Sequence, residues 1–382
     1  MNGLKTGLME PAVHPRYAPD LLLRNTRAHA IAGGADSMWL PDHLNGLIPA
    51  SIWKPKYSGV AKMIPRADAF YEPWTTLGYL AAHNRLARLR LGVGVTDAGR
   101  RNPAVTAQAA ATLHHLSRGR AILGFGPGER EGNQPYGVDW SQPVARFEEA
   151  LATIRALWNS GGTPITRDSK FFPLRDAVFD IPPHKGTRPP IWIAAHGPRM
   201  LRITGRHADA WLPSYAQTAK EYAEKLAIIR ASADNADRDP SSILPAAFFF
   251  ILTARTNTQV DEMINSVPAR VFALCAPAHV WARHGVEHPL GPNFTGAQDL
   301  LPHTIDEPTA LDYAQRVPPS LVRETLLTGT PTDILDQLAQ WRDNDARYVV
   351  LGNLSAFHPR LSVGLTASSL PLIHILRGMK RL

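Results

Sequence analysis

The amino-acid sequence predicts an α/β fold, a (β/α)8 (TIM) barrel in which parallel strands alternate with helices. Three observations lead to this prediction. Short apolar runs alternate with amphipathic stretches, about eight such pairs can be counted, as a barrel requires, and no stretch has the composition of a linker between domains. Because such barrels run from roughly 250 to over 400 residues, we expect one domain spanning 1–382.

The predicted strands are short and rich in apolar residues. The run at 121–126 is apolar throughout, as expected for a parallel strand covered on both faces. In chain order the predicted strands are 5–9, 37–40, 89–96, 121–126, 191–195, 210–213, 246–253 and 348–351.

The predicted helices follow capping signals and apolar stripes. Gly33-Gly34 marks the end of the first helix, Asn102 or Thr96 can cap a helix with Pro103 in its first turn, and Thr332 can cap a late one. The first helix ends at 28–34, and the others are 104–116, 146–158, 199–207, 220–231, 333–341 and 370–379.

Two long stretches, about 44–86 and 256–328, interrupt this alternation. The first is rich in proline and aromatic residues, and the second has weak periodicity and several prolines. In a barrel, such insertions usually extend the loops over the catalytic face, where the strands end.

Composition bounds the compartment and the partners. A single cysteine, Cys275, excludes an intramolecular disulfide and fits a reducing cytoplasm, and the apolar stretch before it predicts a buried thiol. The net charge of +8 is compatible with an anionic ligand, but no basic cluster interleaved with aromatic residues predicts nucleic-acid binding. No apolar run is long enough to span a bilayer, so we expect no stable membrane insertion.

The first candidate motif is Asp42-His43, directly after the second predicted strand. Catalytic residues of barrels lie at that rim, and a histidine oriented by a neighbouring carboxylate suits proton transfer near neutral pH. The alternative is a loop pair that only caps local backbone.

The second motif is Gly124-Phe-Gly126-Pro-Gly128-Glu129, after the fourth strand. It is a poor dinucleotide fingerprint, because Glu129 takes the sixth position and Pro127 lacks an amide donor. The glycines more plausibly let a flat ring lie against the backbone, with Glu129 at its edge.

Two further turns are candidate binding elements. The segment Ala194-Ala195-His196-Gly197-Pro198 opens a helix, and its free amides suit a phosphate, although an ordinary turn explains it equally well. Near Gly94, the side chains of Thr96 and Asn102 could bond a heterocycle; the alternative is a helix cap followed by solvated arginines.

No metal site is expected. The run His284-Gly-Val-Glu287-His288 has the spacing of an inverted zinc motif, which needs a helix to bring both histidines to one face. Gly285 and Pro289 argue against a helix there.

In order, these motifs resemble the luciferase-like superfamily of (β/α)8 flavin and deazaflavin enzymes, and they are most similar to its deazaflavin branch, which uses coenzyme F-420. The segments that carry the resemblance are Pro41-Asp42-His43, Arg101-Asn102-Pro103-Ala104-Val105, Gly124-Phe-Gly126-Pro-Gly128-Glu129 and Ala194-Ala195-His196-Gly197-Pro198. Longer stretches at 96–113, 128–137 and 281–289 resemble ketoreductases of phthiodiolone-type lipids.

The resemblance implies roles for these residues. It makes His43 the acid/base at the reactive ring carbon and gives Glu129 the proton on the pyrimidine side of the ring. It also implies a non-prolyl cis peptide before Gly94, behind the ring. The residues implied to bind the cofactor are Asp42, Val93, Gly94, Thr96, Asn102, Gly126, Gly128, Ala195, His196 and Gly197.

The implied reaction is hydride transfer from reduced coenzyme F-420 to a small-molecule or lipid ketone, plausibly of the phthiodiolone type, by a cytoplasmic homodimer. Two alternatives remain open. One is an FMN-dependent monooxygenase on the same barrel, and the other is a non-catalytic protein that binds a deazaflavin or flavin.

Overall fold

The computed structural model describes residues 3–214 and 217–382, and it contains a closed parallel barrel. The strands are β1 (Lys5–Met9), β2 (Ser37–Leu40), β3 (Arg90–Asp97), β4 (Ala121–Gly126), β5 (Ile165–Arg167), β6 (Leu174–Ala177), β7 (Ile191–Ile193), β8 (Ala210–Trp211), β9 (Leu244–Thr253), β10 (Leu327–Gly329) and β11 (Tyr348–Asn353). Eight of them close in the order β1-β2-β3-β4-β7-β8-β9-β11, and β11 pairs with β1. This confirms the predicted fold class.

Helices cover the outside of the barrel and build the segments above it. They are α1 (Leu21–Gly33), α2 (Pro73–His83), α3 (Pro103–Leu116), α4 (Pro143–Asn159), α5 (Pro198–His207), α6 (Ala219–Asp234), α7 (Asn257–Ile264), α8 (Val267–Phe272), α9 (Ala278–Arg283), α10 (Glu307–Arg316), α11 (Pro319–Thr325), α12 (Pro331–Asp343) and α13 (Ser368–Met379). Within the described residues, none of these helices has the length and apolar composition that crossing a bilayer requires.

The bounds of the barrel elements agree with the sequence prediction to within a few residues, and β4 agrees at both ends. One predicted cap was wrong. Helix α12 is capped by Thr330 in a reciprocal arrangement with Asp333, and not by Thr332. The reason is Pro331, which takes the first helical position, where its fixed φ and missing amide cost nothing, so the cap must precede it.

The interior of the barrel is filled by aromatic side chains. The rings of Trp39 and Trp192 lie 5.1 Å apart between centroids, and Trp192 meets Tyr348 edge-on at 4.9 Å. Ser37 lies between them, since its Oγ accepts from Trp39 Nε1 and from the Tyr348 hydroxyl, both at 2.6 Å. A Cβ at Gly92 would come within 2.4 Å of the Trp39 ring, so only glycine leaves room for it. These side chains close the barrel below its carboxyl rim.

The two predicted insertions are folded segments. The range 44–86 holds two short 3-10 helices and ends with the barrel helix α2, whose N-cap Glu72 precedes Pro73. The range 256–328 holds α7 to α11 and the start of β10, which pairs with the carboxyl half of β9. Both segments follow strands at their carboxyl ends, as expected for loops over the catalytic face.

An ion-pair cluster joins the two insertions. Glu307, the first residue of α10, accepts from Lys54, from Lys56 Nζ at 2.6 Å and from the Tyr57 hydroxyl at 2.7 Å. Hydrogen bonds from Lys54, Lys56 and Tyr57 stabilise the charged carboxylate and lower the pKa of Glu307 from 4.5 to about 2. We call these four residues the loop clasp.

Replacing Glu307 by Gln should loosen the loop clasp without unfolding the barrel. We expect faster hydrogen exchange of the amides at 54–58 and almost no change in the thermal midpoint, because exposed ion pairs contribute little to global stability. In the native protein, the protection of these amides relative to their intrinsic exchange rate at each pH should persist down to pH 4.5. It should be lost as the pH falls through about 2. Glu224→Gln, at an exposed carboxylate, is the control; unchanged exchange in the Glu307 variant would show that the clasp holds nothing.

Candidate active site

A cavity of about 910 Å³ opens at the carboxyl ends of the barrel strands. The aromatic interior of the barrel forms its floor through Met9, Trp39 and Phe248, and the two insertions form its upper wall. Its polar groups gather after β2, β3 and β4. This is the place where (β/α)8 barrels carry their active sites.

His43 lies at the centre of these polar groups. Its Nδ1 is 2.8 Å from Glu131 Oε1, and its Nε2 is 3.8 Å from Glu129 Oε2. Burial lowers the pKa of the imidazole, but the hydrogen bond to Glu131 and the charges of Glu129 and Glu131 outweigh burial and the repulsion from Arg100. The pKa therefore rises from 6.5 to about 9, and His43 carries a proton at neutral pH.

The carboxylate that orients His43 is not Asp42, so the predicted pairing of these neighbours was wrong. The Asp42 side chain is buried and bonds elsewhere: Oδ2 accepts from Thr96 Oγ1 at 2.6 Å and from Arg101 Nε at 2.9 Å. Burial raises the pKa of Asp42, but Arg100, Arg101 and Thr96 together bring it below its usual value. Thr96, Arg100 and Arg101 thus hold the Asp42 carboxylate, and Glu131 bonds the imidazole instead.

The cis peptide lies one bond later than expected, between Gly94 and Val95. Both residues line the cavity, and the register of β3 against β4 shifts between Val93 and Thr96 at the same place. Gly128 also lines the cavity. It has φ +92°, and a Cβ there would lie 2.9 Å from Asp97 Cβ, so glycine is required.

The third predicted turn begins a helix at another wall of the cavity. Gly197 is the N-cap of α5, and no side chain among the described residues caps that helix. A Cβ on Gly197 would meet none of the described atoms within 4 Å. His196, Gly197 and Lys225 line the cavity here. His196 is exposed at this wall. Open amides at a helix start beside a lysine suit an anion.

Not every predicted site residue reaches the cavity. The residues that line it are Asp42, His43, Gly94, Gly128, Glu129, His196 and Gly197. The others lie behind them: Val93, Gly126 and Ala195 are in the strand layer, Thr96 bonds Asp42, and Asn102 caps α3 by accepting from Ala104 N at 2.9 Å. The helix-cap alternative thus describes the observed contact of Asn102.

Sequence reasoning missed Glu131 and Lys225. Glu131 follows Glu129 by two residues and is separated from His43 by 88, so only the fold brings its carboxylate to the imidazole. Lys225 lies on α6, two turns into a helix that the sequence assigns to the barrel exterior. The one available signal was a second acidic residue two positions after Glu129, in the same loop after β4.

Two other candidates from the sequence, the run 284–288 and Cys275, have side chains that pack or bond within the fold. His284 bonds Ser320 and Glu324, whereas His288 is buried between the rings of Trp281 and Phe294. Cys275 is buried at the cavity wall, and burial together with Glu129 and Glu131 raises the pKa of its thiol.

Within the described ranges, one group of side chains could offer ligand atoms to a metal ion. It consists of His43, Glu129 and Glu131, whose potential ligand atoms lie within 4.8 Å of one another.

Apolar side chains form the upper wall. Four aromatic rings form a row that begins at the barrel strand β9. The distances between ring centroids are 5.1 Å for Phe250 and Phe272, 6.5 Å for Phe272 and Phe357, and 6.3 Å for Phe357 and Trp53. The aliphatic and small residues beside them are Leu47, Ile48, Val60, Ile64 and Ala67. Phe70 brings this apolar wall to within 5.9 Å of the His43 ring.

Comparisons with known proteins identify the family of the chain. The family model described as "Luciferase-like monooxygenase" matches residues 23–347. The phthiodiolone/phenolphthiodiolone dimycocerosates ketoreductase of Mycobacterium sp. (strain JLS) is 56% identical over 382 residues, which is 100% of each chain.

Two solved structures share the fold. An F-420-dependent secondary alcohol dehydrogenase in complex with an F-420–acetone adduct has a TM-score of 0.71 at 19% identity and covers 98% of this chain and 99% of its own. The oxygenating constituent of 3,6-diketocamphane monooxygenase from Pseudomonas putida, in complex with FMN, has a TM-score of 0.66 at 14% identity and covers 99% of this chain and 98% of its own. The chain belongs to the luciferase-like family and is an oxidoreductase of that family.

Proposed function

We propose that this protein is a coenzyme F-420-dependent ketoreductase that acts on the keto group of a long, apolar lipid of the phthiodiolone type. The observation that carries the proposal is the position of His43, which contacts Glu129 and Glu131 and lies between a polar pocket and an extended apolar wall. Such a histidine can give a proton to a carbonyl oxygen as a hydride reaches the carbon.

The cavity fits a flat tricyclic ring. Gly94 and Val95 at one side and Gly128 at the other offer backbone without bulky side chains. A Cβ at Gly94 would lie 2.9 Å from Met9 Cε in the floor of the cavity, so a side chain at this position would crowd the floor. These residues would hold the ring between the barrel floor and the loop after β4.

The same cavity fits the phosphate of the coenzyme. Within the part of the chain that the structure describes, α5 has no side-chain cap, whereas α3, α6 and α10 each have one, so the first amides of α5 suit an anion. Lys225 adds a positive charge in the same wall, and its Nζ donates to Gln217 at 2.9 Å. These residues would hold the phosphate.

When bound, the reduced deazaflavin would supply a hydride, and it lacks the ring nitrogen N5 that gives flavins their reactivity toward oxygen. His43 supplies the proton at Nε2 to the developing alkoxide. Glu129, 3.8 Å from the same nitrogen, is placed to exchange a proton at the ring edge. The buried ion pairs of Asp42 with Arg100 and Arg101 keep the loops after β2 and β3 fixed around them.

The substrate assignment rests on the apolar wall and on the name of the 56% identical relative. A wall of phenylalanine, tryptophan and aliphatic side chains favours alkyl chains by the hydrophobic effect. We further infer a cytoplasmic enzyme, which the free thiol of Cys275 fits.

Equilibrium binding of oxidised coenzyme F-420 to the purified protein tests the cofactor. We expect a Kd in the micromolar range or below, with FMN and NADPH competing poorly. Lys225→Met should weaken the coenzyme at least tenfold, as loss of a charge-assisted bond to phosphate would, and should leave a deazaflavin without the phosphate side chain unaffected. Lys220→Met, on an exposed part of α6, is the control.

Preference for FMN, with oxygen uptake in the presence of a reduced flavin, would contradict the proposal and favour the monooxygenase. Tight coenzyme binding without oxidation of its reduced form by any ketone would favour a binding protein.

A further inference from the structure

The buried carboxylate of Glu131 has one strong partner, and that partner is His43. Its side chain is 1% exposed, Oε1 lies 2.8 Å from Nδ1, and Oε2 has no hydrogen-bond partner among the described residues. A buried carboxylate with so few hydrogen bonds is costly unless a positive charge lies beside it. A protonated imidazole supplies that charge.

We propose that Glu131 is a positioning residue which fixes the His43 ring through Nδ1 and keeps the imidazole protonated, so that Nε2 presents a proton to the substrate oxygen. The proton transfer from Nε2 to the substrate oxygen rests on the proposed function. The contact between the two side chains is independent of any cofactor.

Charged groups from two loops surround the ring, and their balance favours this role. Glu131 and Glu129 approach from the loop after β4, and both favour the imidazolium. Arg100, from the loop after β3, opposes them, but it bonds Asp97 at 2.6 Å and lies 3.6 Å from Asp42, which offset its charge. Phe70 contributes no charge, and Cys275 keeps its proton because burial and the two glutamates raise the pKa of the thiol.

The arrangement favours reduction over alcohol oxidation near neutral pH. In reduction, the hydride forms the new C–H bond, the carbonyl π pair moves to oxygen, and the Nε2–H bond breaks as the O–H bond forms. His43 leaves this step neutral and regains a proton from solvent. Alcohol oxidation needs the neutral imidazole as a base, which Glu131 disfavours.

The first test is the titration of His43 by NMR with isotope-labelled histidine, in protein without cofactor or substrate. The His43 signal is assigned by its loss in His43→Asn. We expect a midpoint near 9 in the native protein and a fall of at least one pH unit in Glu131→Gln, because the hydrogen bond remains possible but the charge is gone. Glu287→Gln, at an exposed site, should leave the midpoint unchanged. An unchanged midpoint in Glu131→Gln overturns the proposal.

The second test is the pH profile of ketone reduction. In the native enzyme, kcat should hold until the pH approaches about 9, whereas in Glu131→Gln it should decline from a lower pH, with KM little changed. A merely structural role would lower kcat equally at every pH and would count against the proposal. If Glu131→Gln does not fold, Glu131→Asp, whose carboxylate is one carbon further away, should give an intermediate midpoint.

The two proposals fail separately. A lowered His43 midpoint together with no coenzyme binding would leave the role of Glu131 standing and overturn the cofactor assignment. Coenzyme binding and turnover with an unshifted midpoint would do the reverse.

Discussion

Replacing His43 by Asn should lower kcat for ketone reduction by about 10² to 10⁴, the usual contribution of general acid catalysis, while the Kd for the coenzyme changes little. Asn can still donate to Glu131 from a position near that of Nδ1, so the local hydrogen bond is kept and the proton at Nε2 is lost. The measurement is steady-state kinetics beside equilibrium binding of the coenzyme.

The matched control is His303→Asn, the same substitution at an exposed histidine outside the cavity. It should behave as the native enzyme. Equal losses in kcat and in coenzyme affinity in His43→Asn would mean that His43 holds the cofactor, and the acid role would then have to be reassigned. A weak general acid such as imidazole added to the buffer should restore part of the activity.

The barrel was predictable because its signals are local. Each strand is a short apolar run and most helices begin at a proline or a capping residue, as with Asn102 and Pro103 before α3. The elements that escaped prediction did so for other reasons. Helix α2 begins with such a signal, Glu72 before Pro73, but it follows a stretch rich in proline and aromatic residues that obscures its start. The β5–β6 hairpin and β10 are made of strands of only three or four residues.

The site was predictable only in part, because its decisive contacts are not local. A histidine at the end of a barrel strand is a sequence signal, but its partner is fixed by the fold. The neighbour Asp42 was the natural choice from sequence, yet two arginines and Thr96 take its carboxylate. Glu131 comes from a loop two strands away in the barrel. The cis peptide was expected before Gly94 and lies after it, between Gly94 and Val95. This is the segment in which the register of β3 against β4 shifts.

The apolar wall should make the rate depend strongly on the length of the substrate. For a series of methyl n-alkyl ketones, we expect kcat/KM to rise by up to about fourfold for each added methylene, since each buried CH₂ contributes about 0.8 kcal/mol. The rise should continue until the chain passes Phe357 and Trp53 and then stop. A flat series would show that the wall does not bind the chain, and the lipid assignment would fail while the ketoreductase assignment remained.

A variant that narrows the cavity makes this prediction specific. Ala67 lines the cavity between Ile64 and Phe70, close to the imidazole end of the wall, so Ala67→Trp should remove the gain for long ketones and leave short ones such as acetone nearly unaffected. Arg66→Trp, one residue away on the exposed side of the same segment, is the control. If both variants kept the full dependence on chain length, the alkyl chain of the ketone would have to lie along another wall. Pro277 and Phe294, which also line the cavity, form such a wall. Hydride transfer and protonation occur at the same centre for every ketone in the series. The dependence of kcat/KM on chain length therefore reports the contribution of the apolar wall separately from that of His43.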